Sequence, residues 1–287
     1  MIVILGLIIV VGSVLTGFSM AGGHFHSLVH PSEIVTIGGA ALGALIVMSP
    51  RKVLMDLMHG VIHAIKGSPF NKRAYVEIFS LLYDLFRIGR RDGMLAWDTH
   101  LSAPEDSPLL QKYPLIHGNP HVREFLCGAL QMISDGRATP AQVETLLERE
   151  IKVMEDEHHA AVGALSSTAD ALPGFGIVAA VLGIVVTMGA ISGPVEEIGH
   201  KVGAALVGTF LGILLSYGFF GPLAGRMEYL GTQESAFFRV IVGMIAEFLA
   251  GGAPKGVIEL ARRGVGTEHR PTADELAELF KTVESGG

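Results

Sequence analysis

Charge is scarce in this sequence of 287 residues, and its absence is concentrated in four long runs. Asp, Glu, Lys and Arg make up 17% of the chain, against roughly 25% in an ordinary soluble domain. A helix needs about 20 apolar residues to cross the hydrocarbon core of a membrane. The uncharged runs therefore predict four spanning helices, at Met1–Met20, Ile34–Ser49, Leu172–Ile191 and Val202–Leu223. A cleaved signal peptide is the alternative for the first run, but the basic residues that begin such a peptide are missing.

Cysteine and enzyme motifs are also scarce. Cys127 is the single cysteine, so no disulfide framework exists. The sequence has no Walker lysine motif, no Gly-x-Ser-x-Gly and no His-Glu-x-x-His. We therefore predict no enzymatic activity, no cofactor and no metal. His24, His26 and His30 cluster in the turn after the first span, where exposed loop histidines are a simpler interpretation than a metal site. No basic patch indicates nucleic acid as a partner.

The distribution of basic residues predicts the orientation of the spans. Residues 51–170 contain thirteen Lys and Arg and residues 226–287 contain seven, whereas residues 17–33 contain none. Cytoplasmic flanks of membrane helices collect Lys and Arg. We therefore expect a multi-pass protein of the bacterial inner membrane, with the large loop and both termini in the cytoplasm and both hairpin turns outside.

The expected fold class is an all-α membrane protein with four transmembrane helices, a helical cytoplasmic domain between spans 2 and 3, and a cytoplasmic helical tail. Apolar residues at helical spacing predict a helix over Tyr75–Arg87. Capping boxes predict helices that begin after Thr139 and Thr272, the first ending near His158 and His159. The predicted domains are spans 1 and 2 (1–50), the loop domain (51–170), spans 3 and 4 (171–225) and the tail (226–287).

Small residues recur every four positions in the last two spans. One stripe comprises Ala204, Gly208, Gly212 and Ser216, and the other comprises Gly176, Ala180, Gly183 and Thr187. Lipid provides no hydrophobic drive for helix association, so small residues mark surfaces where another helix approaches closely. Packing within one chain is the simpler interpretation, but two stripes favour a partner helix or a central channel. Because the four uncharged cores contain no acid or base, the titrating carboxylate of any ion path must come from another chain.

Three segments carry a resemblance to a known family. The third span begins LPGFGIVAAVLG at 172–183, the fourth contains VGTFLGILLSYG at 207–218, and the loop contains LLYDLFRIGRRDGM at 81–94. Together they resemble the MotA family of flagellar motor stator proteins, within the MotA/TolQ/ExbB proton channels, over nearly the whole chain.

The resemblance implies roles for single residues. Pro173 and Pro222 match two prolines that couple ion flow to shape change, and each weakens the helix by removing a backbone donor. Helix termination is the alternative for Pro222. Thr209 matches a threonine that faces the ion path, near the carboxylate of a partner. Arg90 matches a basic residue that engages the rotor, and Asp98 stands at an acidic position where many relatives carry Glu.

The resemblance also bears on the channel and its ion. We expect the small residues to line the channel, namely Gly176, Gly208, Gly212 and Ser216. In sodium-driven relatives two threonines flank the partner's aspartate, and here the first of these positions is Ala180. Because a methyl group cannot bind sodium, we expect the coupling ion to be H⁺.

The implied assembly is a pentamer of this chain around a dimer of MotB, in contact with membrane lipid and with the rotor protein FliG. MotB would supply the proton-binding aspartate and the peptidoglycan anchor. An ExbB/TolQ-type energy transducer is the alternative, but those relatives have one span before the large loop and this chain has two. A self-contained transporter would show an intramembrane charge or a helix broken at mid-depth.

The predicted topology can be tested with reporter fusions. Fusions near Ser107 and at Gly287 should report the cytoplasm, and a fusion near Gly22 should report the outside, because the basic residues flank the loop and the tail. The measurement is paired alkaline phosphatase and fluorescent protein activity at each position. Phosphatase activity at Ser107 would overturn the orientation.

Overall fold

A computed structural model of the chain describes residues 2–189 and 191–285. Met1, the first residue of the first predicted span, Ala190 near the end of the third, and Gly286 and Gly287 in the tail lie outside the described residues. Every regular element of the described part is helical, so the all-α fold class is confirmed. The helices are α1 (Ile2–Met20), α2 (Pro31–Met48), α3 (Arg51–Lys66), α4 (Lys72–Asp92), α5 (Asp98–Leu101), α6 (Pro108–Gln111), α7 (Pro114–His117), α8 (Pro120–Ser134), α9 (Pro140–Met188), α10 (Val195–Leu215), α11 (Gly221–Leu249), α12 (Pro254–Gly264) and α13 (Ala273–Ser285).

Four helical segments of the described chain are long and apolar enough to cross a membrane, which confirms the predicted number of spans. They contain α1, α2, α9 and the continuous run of α10 and α11. The first is apolar on all sides, and Ile2 and Ile8 are 83% and 61% exposed. Continuous exposed apolar surface of this kind requires lipid or another protein to cover it.

The second span begins earlier than its uncharged run suggests. Pro31 occupies the first turn of α2, where its missing N–H costs no hydrogen bond, and Glu33 lies in the same turn. The predicted core began at Ile34 and so excluded this carboxyl group. The core from Ile34 has no acid, as the sequence shows, but the helix that contains it also includes Glu33.

The predicted loop helix and the third span form one helix, α9, of 49 residues. At about 1.5 Å per residue it is roughly 70 Å long. Its predicted start is confirmed, and the Thr139 N–H donates to Gln142 Oε1 at 2.9 Å, which is one of the two hydrogen bonds of a capping box. The prediction that this helix ends near His158 and His159 is wrong. Instead, the His158 Nε2 atom lies 2.9 Å from the Met227 carbonyl oxygen in the interior of the run.

The chain divides into two compact units, 1–67 with 156–230 and 68–155 with 231–287. These limits differ from the predicted domains, because residues 51–67 and 156–170 group with the spans and the tail groups with the loop. In the first unit, Leu57 and Ala64 of α3 pack against Ala161, Leu165 and Met227. We call this unit the membrane unit and the other the loop unit.

The loop unit is built around α4, which confirms the helix predicted over Tyr75–Arg87. Its apolar face is fully buried, and Trp97 Nε1 donates to the Leu85 carbonyl oxygen at 2.7 Å. The tail helix α13 joins this core, because Tyr83 Oη donates to Glu284 Oε1 at 2.6 Å. Burial raises the pKa of the Cys127 thiol to about 11, so this cysteine stays protonated and chemically inert.

Candidate functional site

The backbones of α9 and α10 touch where the two stripes of small residues meet. A methyl group on Gly176 would lie 2.9 Å from the carbonyl oxygen of Gly208. A methyl group on Gly212 would lie 2.6 Å from the carbonyl oxygen of Leu172, and one on Gly183 would lie 2.7 Å from the Ala205 Cβ. These separations are shorter than van der Waals contact, so no larger residue fits at these positions. We call this region the glycine crossing.

The residues predicted to line a channel are covered by this chain's own atoms. All of them are buried, namely Gly176, Gly208, Gly212 and Ser216. Packing within one chain, the simpler interpretation of the stripes, therefore accounts for the small size of the three glycines. A channel wall formed by these four residues stays a prediction. Half-buried neighbours such as Thr209 offer the surface that remains open to another protein.

Ala180 and Thr209 lie on opposite helices beside the glycine crossing. The Ala180 nitrogen is 3.4 Å from the point where Gly208 would carry a methyl group, and the Thr209 Cα is 3.3 Å from the corresponding point on Gly176. Both residues are half-buried. The two positions matched to the threonines of sodium-driven relatives thus lie on facing helices at the glycine crossing. Of the two residues, only Thr209 carries a side-chain hydroxyl.

Glu33 is a residue of this site that sequence reasoning missed. It is 6% exposed, and its Oε2 lies 2.6 Å from the position of a methyl group on Gly208. Oε2 is buried and has no hydrogen-bond partner, and the same holds for Nδ1 of His30 just before it. Glu33, Ile37 and Ala41 follow each other at four-residue spacing on the buried face of α2. The four-residue spacing of Ala41 and Ile37, continued towards the N-terminus, leads to Glu33 and could have identified it as buried.

The two predicted coupling prolines lie within continuous helices. Pro173 is in the interior of α9. Pro222 follows a π-type turn, Ser216–Phe220, in which the Gly221 N–H donates to the Ser216 carbonyl oxygen. Because α11 continues to Leu249, the interpretation of Pro222 as a helix terminator is wrong. Prolines and π-type turns are the usual places where helices bend, and the coupling role of both residues stays a prediction.

Arg90 lies in the loop unit and holds the end of α11. Its Nη2 donates to the carbonyl oxygens of Gly251 and Gly252 at 2.5 and 2.9 Å. The guanidinium carbon lies 5.2 Å from the centre of the Phe248 ring. Carbonyls at the end of a helix lack partners within the helix, and Gly251 has a φ of +101° that suits glycine. Arg90 therefore binds the carbonyl oxygens of the turn that follows α11.

Asp98, the second predicted rotor contact, also has a partner within the chain. Its Oδ1 accepts a hydrogen bond from Ser134 Oγ at 2.5 Å, and the residue is half-buried. The sequence alone suggests that Arg90 and Asp98 are solvated loop charges. In the structure each has a hydrogen-bond partner within the chain. A rotor contact for both stays a prediction. In the described ranges no three His, Cys, Asp or Glu residues are grouped as a metal site would require.

Comparison with known proteins gives matches over most of the chain. The motility protein A N-terminal model matches residues 4–93, and the MotA/TolQ/ExbB proton channel family model matches residues 118–239. Motility protein A of Salmonella typhimurium is 33% identical over 285 residues, covering 99% of this chain and 97% of that protein.

Two solved structures share the fold. The structure of C. jejuni MotAB matches with a TM-score of 0.78 at 21% identity, covering 94% of this chain and 98% of that chain. The flagellar MotAB stator complex from Bacillus subtilis matches with a TM-score of 0.74 at 24% identity, covering 96% and 98%.

Replacing Gly212 with Leu should separate α9 from α10, because the new side chain would overlap Leu172 and Gly176. Overpacking of this kind costs about 1–3 kcal/mol or more. Thermal unfolding of the purified protein in detergent should shift to lower temperature, and association with a partner helix should be lost. Gly203→Leu is the matched control, since Gly203 is exposed and a methyl group there meets nothing within 4 Å. Equal unfolding temperatures for the two variants would contradict the glycine crossing.

Proposed function

This chain belongs to the motility protein A family, and on that premise we propose that it is a subunit of the proton-conducting stator of the bacterial flagellar motor. With MotB it would convert the ion-motive force into torque on the rotor. The observation that carries the proposal is the glycine crossing, where the two family-matched stretches meet and set Ala180 beside Thr209. The match of residues 4–93, which include two spans before the loop, disfavours an ExbB/TolQ-type transducer.

The partners and orientation form the second part of the proposal. Structures similar to this chain are complexes named MotAB, which supports MotB as the partner. We propose a pentamer of this chain around a MotB dimer, with the large loop and both termini in the cytoplasm. The concentration of Lys and Arg in residues 51–170 and 226–287 supports that orientation. FliG is the proposed rotor partner of the loop unit.

The proposed cycle uses the aspartate of MotB as the proton carrier. A charge that crosses the membrane gains about 2.3 kcal/mol per 100 mV, enough to bias steps between nearby conformations. The Thr209 hydroxyl would orient the proton or a water beside that carboxylate. Helix bending at Pro173 and at the π-type turn before Pro222 would turn proton transfer into movement, because these are the weak points of the hydrogen-bond ladder.

The rotor contact is proposed at Arg90 and Asp98. Arg90 presents its charge at the carbonyl end of α11, where the helix dipole favours a cation. Its contacts with Gly251 and Gly252 fix that charge in place. Acidic residues of FliG would then form ion pairs with an Arg90 guanidinium that is already held in place.

Charge reversal at Arg90 should impair swimming more than neutralisation does. Arg90→Glu and Arg90→Ala both lose the bonds to the α11 end, whereas only reversal adds repulsion at an interface. Swimming speed and the unfolding temperature of the purified protein are measured together, so that loss of torque is separated from loss of fold. Arg91→Glu is the control, because Arg91 pairs with its sequence neighbour Asp92 at 2.8 Å and not with the turn after α11. Normal swimming of the Arg90→Glu strain would remove Arg90 from the rotor contact.

The coupling ion is expected to be H⁺. Sodium must exchange its water shell for several oxygen ligands, and the Ala180 methyl group cannot be one of them. Swimming speed should therefore be unchanged when potassium replaces sodium at fixed pH, and should fall to zero when a protonophore is added. Motility that requires sodium and survives the protonophore would exclude the proton while leaving the stator proposal intact.

A further inference from the structure

A buried carboxyl group without a partner lies in the membrane unit. Glu33 is 6% exposed, and its Oε2 is covered and makes no hydrogen bond. The His30 Nδ1 atom, three residues earlier, is covered and unpaired as well. Buried polar atoms are almost always hydrogen-bonded, and an isolated buried carboxylate is strongly disfavoured. The site must therefore bind something that relieves this cost.

The space around Glu33 Oε2 limits what that species can be. A methyl group on Gly208 would lie 2.6 Å from Oε2, and the same point lies 3.1 Å from the Ala179 Cβ. Because the oxygen is already covered by this chain, no side chain of a partner protein can reach it without displacing α10. A metal cation needs several oxygen ligands, and Ala179, Ala180 and Gly208 offer none from their side chains. A proton fits without added volume.

The ionisable groups near this carboxyl are few. His30, just before α2, acts on it electrostatically. The nearest charged residues on the same face of α10 are Glu197 and Lys201, which pair with each other at 2.8 Å. Around the Cβ position of Gly208, which Glu33 Oε2 approaches, α9 contributes Ala179 and Ala180. Apolar surroundings and one histidine suit a group that changes its protonation state.

We propose that Glu33 is a proton-binding residue of this chain, placed at the glycine crossing beside Gly208 and loaded through His30. The proposal rests on the proposed function, and adds a second carboxyl group to a path otherwise assigned to the partner's aspartate. In the step, Oε2 of the carboxylate accepts a proton from a water or from the protonated His30 ring, forming an O–H bond. That bond breaks when a water molecule in the ion path accepts the proton, and the carboxylate is restored with no change in electron count.

The test is proton flux through the purified complex with its partner, reconstituted in lipid vesicles and driven by a potassium diffusion potential. Glu33→Gln keeps the size of the side chain but cannot carry the proton. Flux should fall at least about tenfold, since a positioned proton-transfer group contributes that much or more. Glu196→Gln makes the same chemical change at an exposed position of α10 and should conduct like wild type. Unchanged flux through Glu33→Gln would overturn the proposal.

Two further measurements keep the result interpretable. If Glu33→Gln assembles poorly, Glu33→Asp retains an ionisable group at an altered distance, and the pH dependence of its flux should shift from that of wild type. An identical pH profile would overturn the role of Glu33. Absence of flux through the wild-type complex would instead refute the proposed function, so the two failures are distinguishable.

Discussion

Direct contact between the backbones of α9 and α10 is the constraint on which the membrane unit depends. In lipid, apolar side chains gain nothing from leaving their surroundings, so helices associate through close packing instead. Glycine at 176, 208 and 212 lets main-chain atoms meet where any side chain would overlap. The same approach places Ala180 and Glu33 next to Gly208, and Thr209 next to Gly176, although the three residues belong to three different helices. The polar and ionisable groups of the site are thus close together because the neighbouring positions are glycines.

Features set by local interactions could be predicted from the sequence. The four spans follow from the lack of charge, and the capping boxes at Thr139 and Thr272 follow from residues three positions apart. Features set by distant contacts could not. The Arg90 partners Gly251 and Gly252 are about 160 residues away in sequence and no spacing rule connects them. Glu33 was excluded because a charge ended the apolar window, although the buried face of α2 continues through it.

Arg90 shows how a residue matched through a family motif can also stabilise the fold. A guanidinium that donates to two carbonyl oxygens has lost much of its conformational freedom before any partner arrives. Binding to a pre-organised charge costs less entropy than binding to a flexible one. The same contacts mean that removing the side chain alters the end of α11. A substitution of Arg90 is therefore expected to change stability and activity at the same time.

The π-type turn at Ser216–Phe220 sets the rotational phase of everything after it. A π-type hydrogen bond spans five residues instead of four, and each residue of an α-helix advances about 100° around the axis. Ala224 and Met227, both buried, therefore face their neighbours only because this extra residue is present. A deletion of one residue here would leave the helix long enough to span but would rotate its buried side by about 100°. Anyone who grafts this span into another protein must carry the turn with it.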